Sequence, residues 1–174
     1  EVNEDGALAT HTANSQWSLT NTAAELTEGR HYWEVEIACN VINGLNVGVC
    51  RTNSDPRAAH CRHLHTAWFM SAAYGVLWSS SGEEGSDAAG CFKLGDRMGI
   101  LLDLNDGSLR FFKNGVEHGP GYPAGSVMGP VALAAHMPWA GQAVRLLPGP
   151  AWPAGPGAPR GASAPRRGVR GQRR

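Results

Sequence analysis

The chain has 174 residues, room for one domain and an extension, and 42% of them are hydrophobic, enough for a buried core. Its formal charge of zero hides an asymmetry: of the fifteen basic residues, six are arginines after Pro159 that no acid accompanies, which leaves nine basic against fifteen acidic residues in the body. No stretch approaches the roughly 18 apolar residues of a membrane-spanning helix and no secretory apolar segment occurs, so helical membrane insertion is excluded as a function class.

Glycine (23 residues) and proline (11) are frequent enough to predict many short elements joined by turns. The first convincing element is His31–Ile37, where Trp33, Val35 and Ile37 alternate with Tyr32, Glu34 and Glu36. Period-two alternation of this kind puts the apolar set on a buried face and the other set on a half-solvated one. Leu45–Cys50, Ala67–Ser71 and Tyr74–Trp78 read as further strands, with a short helical turn best placed at Pro56–Leu64. Gly99–Leu104 is an apolar run followed by Asn105-Asp106-Gly107, and Ser108–Lys113 returns from it to a second turn at Asn114-Gly115. Val131–His136 and Ala143–Leu147 complete the series. No window sustains a helical period, and no repeat of 20–50 residues occurs. The expected fold is all-β, an antiparallel two-sheet sandwich over residues 1–147.

Composition changes sharply at Pro148. Residues 148–174 are almost entirely Pro, Gly, Ala, Ser and Arg, so they cannot bury enough apolar surface to offset their ordering entropy and are predicted to be disordered. The chain opens on Glu1 and reads as a fragment of a longer protein. Cys39, Cys50, Cys61 and Cys91 form no CxxC pair, and four reduced thiols in an intracellular, cytoplasmic setting are expected.

Three blocks in order carry a family resemblance: GRHYWEV at 29–35, preceded by Glu28; NVGV at 46–49 with Ala67-Trp68 after a loop; and GILLDL at 99–104 followed by LRFFKNG at 109–115. Together they resemble the SPRY domain family, including the PRY-SPRY form of tripartite-motif ubiquitin ligases, over roughly residues 6–147. Trp17-Ser18-Leu19 looks like the end of a short PRY-type lead-in. The resemblance implies a bent sandwich whose variable loops capture peptides or protein faces, and it implies no catalysis. Within it, Ile100, Leu102 and Phe111 or Phe112 join Trp33, Val35 and Ile37 as core, and the glycines at 29, 48, 99 and 115 serve turns or close approach.

Several polar clusters carry residue types used in chemistry. Arg57, His60, Cys61, Arg62, His63 and His65 bring zinc ligand types together, but three ligands within five residues strain a tetrahedral site and two arginines repel a cation, so the segment is read as loop rather than metal centre. Glu34 and Glu36 share a strand face and read as solvated rather than as an acid–base pair. Asp103 to Gly107 lacks the spaced ligands of a calcium loop. No nucleophile motif and no phosphate loop is present, so no enzyme and no cofactor is expected.

What remains is a binding module. Loops carry recognition, and the residues expected to contact a protein or peptide partner are Arg57, His63 and His65 from the long loop Arg51–His65, Tyr74, and Met137 with Trp139 before the last strand. The parent could use such a module to select substrates for ubiquitin ligation. The isolated domain is expected to be a monomer with no membrane partner. The alternative is a nucleic-acid-associated protein acting through its arginine tail.

Overall fold

A computed structural model describes residues 1–3, 7–12, 18–22, 24–40, 43–54, 66–79, 82–84 and 91–149. Twelve strands are formed: β1 (Leu8–Thr10), β2 (Ser18–Asn21), β3 (Arg30–Ile37), β4 (Asn46–Arg51), β5 (Ala67–Ser71), β6 (Leu77–Ser79), β7 (Gly82–Glu84), β8 (Arg97–Asp103), β9 (Ser108–Lys113), β10 (Val116–Glu117), β11 (Val131–Met137) and β12 (Ala143–Leu147). They pair antiparallel into two six-stranded sheets, one in the order β1-β12-β3-β8-β9-β10 and the other β2-β11-β4-β5-β6-β7. No helix occurs among the described residues. The all-β, two-sheet antiparallel architecture expected from the sequence is therefore the one observed.

The core lies between the sheets because alternation holds strand by strand. Val35 and Ile37 from β3, Met98, Ile100 and Leu102 from β8, and Leu109 and Phe111 from β9 point inward from the first sheet. Val47 and Val49 from β4, Met70 from β5, and Leu133 and Ala135 from β11 meet them from the second. Phe111 and Ile100 sit directly opposite each other in the β8–β9 register, and each is at most 1% exposed. Full burial of side chains of this size contributes about 1.5–3 kcal/mol apiece. Trp33 lies on the predicted face but is only partly buried, packed against the core margin and stacked on His31 with ring centroids 5.8 Å apart.

Phe112 is buried as well, but on the opposite face of the sheet from Phe111 and outside the inter-sheet cluster. There Tyr32 meets it edge-on, the two centroids 6.0 Å apart at 89°. The Tyr32 hydroxyl donates to Glu34 Oε1 at 3.1 Å, and Arg97 Nη1 lies 3.4 Å from Glu34 Oε2. Burial, and then the Glu34 carboxylate, push the Tyr32 phenol well above its ordinary value. This outer face is closed by its own side chains: Leu101 is 4% and Phe112 5% exposed.

Turn chemistry follows the sequence at both expected hairpins, in two different ways. Asn114 and Gly115 both take positive φ (51° and 85°), the two-residue turn that joins paired residues Lys113 and Val116. Between Asp103 and Ser108 the loop is four residues long, and in it only Gly107 has positive φ. The Asp103 and Asp106 carboxylates accept the backbone N–H groups of Asn105 (3.0 Å) and Ser108 (2.9 Å), as acids at turns do. One predicted strand is corrected. Residues 72–76 form a turn closed by Gly75 N–H donating to the Ser71 carbonyl at 2.8 Å, and β6 begins only at Leu77, so Tyr74 stands at a loop tip.

Candidate functional site

Strand direction decides which loops share an end of the sandwich. In the β11–β4 register His136 faces Asn46, and in the β4–β5 register Asn46 faces Ser71. The 43–45 loop entering β4, the 72–76 turn leaving β5 and the 138–142 turn leaving β11 therefore lie side by side. The segment 91–96 joins them from the other sheet, its Phe92 N–H donating to the Ala72 carbonyl and its Gly95 N–H to that of Ile37.

An amide network holds these loops. Gln142, fully buried, accepts the Trp139 backbone N–H at Oε1 (2.9 Å) and donates from Nε2 to the Asn43 carbonyl (3.0 Å). The Asn43 side-chain oxygen accepts the Tyr74 hydroxyl at 3.2 Å. One step deeper, Asn46 donates to the Gly44 carbonyl at 2.7 Å and lies 3.3 Å from the buried His136 Nδ1. Gly44 is required where it stands: its φ is +75°, and a Cβ there would come within 2.7 Å of Pro138 Cγ and 3.5 Å of Trp139 Nε1. Tyr74 and Trp139 thus flank the same two-residue turn, with backbones fixed and rings outside, 55% and 49% exposed. Leu94, 54% exposed, belongs to the same end.

The predicted contact residues divide. Tyr74 and Trp139 are exposed and brought together through Asn43-Gly44. Met137 is corrected: it is the last residue of β11, only 2% exposed, and packs in the core, because strand alternation runs through it and places it on the inward face with Leu133 and Ala135. Arg57, His63 and His65 lie outside the described residues, as do the helical turn at 56–64 and the tail from residue 150. The described anchors of the long loop, Arg51 and Thr66, sit at the far end of β4 and β5 from Asn46 and Ser71. A strand of β4's length separates those ends by about 17 Å.

Sequence reasoning missed Asn43, Gly44 and Gln142. The Asn-Gly pair was a readable turn signal. Gln142 offered none, since an amide between two turns acquires its role only when distant loops meet. Among the described residues no group of three His, Cys, Asp or Glu side chains is placed to hold a metal ion, and no disulfide joins Cys39, Cys50 and Cys91. Asp96, beside Leu94, is held below the ordinary carboxylate range, first by the Asn114 amide at 2.9 Å, with the Lys93 backbone N–H and Lys113 also contributing.

Residues 30–148 match the family model of the SPRY domain. The chain belongs to the SPRY domain family. Two solved structures are similar to it. The SPRY domain of human HERC1 superposes with a TM-score of 0.69 at 24% identity, over 82% of this chain and 89% of that one. A second human SPRY domain gives 0.65 at 22% identity, over 83% and 93%. At such identity the likeness is one of fold. No curated protein sequence matches the chain. SPRY domains are generally protein–protein interaction modules and typically non-catalytic.

Proposed function

We propose that this SPRY domain recruits a protein or peptide ligand through the loop end that displays Tyr74 and Trp139. The observation that carries the reading is the pairing of rigidity with exposure. The buried Gln142 amide ties down the Trp139 backbone and the Asn43 carbonyl, and the Asn43 side chain takes the Tyr74 hydroxyl, yet each of the two rings keeps about half its surface in water. Rings presented this way bury large area at small entropic cost, which is why tyrosine and tryptophan dominate interface energetics. A parent protein with a ubiquitin-ligase domain would use the module to choose its substrate.

Affinity and stability measured on one variant test the proposal. Trp139→Ala is expected to weaken ligand binding by about 2 kcal/mol or more, while the melting temperature stays within a few degrees of the parent. A folded Trp139→Ala domain that binds undiminished would reject the site.

A further inference from the structure

The same loop end carries information about the chemistry of its ligand. From Ala38 to Leu45, from Ala72 to Val76 and from Pro138 to Gln142, the sequence contains no Asp, Glu, Lys, Arg or His. Among the described residues, the nearest charges stand at the rim. Lys93 and Asp96 stand on the adjoining segment, Asp96 engaged by Asn114 and by Lys113 at 3.2 Å, and Glu1 stands beside Thr10 on the other side. A charged ligand group brought onto the centre of this surface would lose hydration and find no opposite charge. Apolar surface lacks that penalty, and Tyr74 and Trp139 supply the matching ring area. Polar recognition there is neutral as well. Asn43, an exposed residue, uses its backbone carbonyl and side-chain oxygen internally, and its side-chain N–H₂ is a donor that can serve a ligand carbonyl.

We infer that the ligand of this site is an uncharged peptide segment, with an apolar side chain packed on Tyr74 and Trp139 and a backbone or amide carbonyl bonded by Asn43. The inference rests on the loop end being the binding site, as proposed above, and adds the class of ligand. It separates this surface from one that reads acidic or basic motifs by ion pairing.

A displayed library of random peptides of about 12 residues, selected on the full 174-residue chain, provides the test. Each binder is then measured against Trp139→Ala and Tyr74→Ala and alanine-scanned. The expected result is that Trp139-dependent binders have no required Asp, Glu, Lys or Arg, and that their affinity changes less than about twofold between roughly 50 and 500 mM salt, since no exposed ion pair is screened. Trp139-dependent binders that need a fixed charge, or that lose about tenfold over the same range, would overturn the inference and leave the site standing. Binders indifferent to both substitutions, or no binders at all, would count against the site itself and remove the inference with it.

Discussion

The two ends of the sandwich handle polar groups in opposite ways. At the Tyr74–Trp139 end a buried neutral amide ties the turns together: Gln142 is wholly buried and joins the turns that carry Trp139 and Asn43, and the aromatic rings are left outside. At the other end, charges face one another between the ends of two central strands. Arg30 Nε lies 2.9 Å from Asp103 Oδ2, and the Asp103 and Asp106 carboxylates are occupied by their own turn. Both ends stand on the same strands and the same core. The difference teaches that in this fold the strands fix where loops emerge, while the loop side chains decide whether an end is saturated or open to a partner.

Three measurements break or sharpen that contrast. The largest effect is expected where the ends are not distinguished at all. Phe111→Ala empties a fully buried site shared by both and should cost about 3–5 kcal/mol in chemical denaturation, with loops at both ends lost in one transition. Separate transitions for the two ends would show that they are not coupled through a common core. Next comes Gln142→Ala, which leaves the Trp139 N–H and the Asn43 carbonyl without their partner. It should destabilise by roughly 2–3 kcal/mol and raise hydrogen exchange in residues 43–45 and 138–142 while residues 103–108 keep their protection. Uniform loss of protection would remove the claim that this amide organises one end. The smallest effect belongs to the charged end. Its Arg30–Asp103 pair is part-exposed (27% and 21%), so Arg30→Ala should cost no more than about 1 kcal/mol, and less in high salt. A salt-independent loss larger than that would mean Arg30 acts through packing of its stem.

Much of the scaffold was legible because alternation and turn chemistry are local. The faces of His31–Ile37 follow from a period of two, and Asn114-Gly115 could adopt its turn without help from elsewhere. Short edge strands escaped notice: β1, β7 and β10 have two or three residues each, too few for a period to register. Trp139 was legible from the Pro138 and Gly141 of its turn, whereas Tyr74, though expected to contact a partner, read as the start of a strand. Met137 was misplaced because reading a loop back from Pro138 ignored the strand's alternation, which continues through it to the core.

By itself the sequence determined the class of fold, the inward and outward residues of its long strands, and the absence of charge from three separated segments. Those properties depend on neighbours along the chain. Only the tertiary structure decided that these three segments meet at one end, that Arg51 and Thr66 stand at the other, and that Gln142 joins turns separated by 99 residues from Asn43. Antiparallel pairing sets those positions, because each added strand reverses direction and sends alternate loops to opposite ends, and no local pattern records which distant strand will be the neighbour.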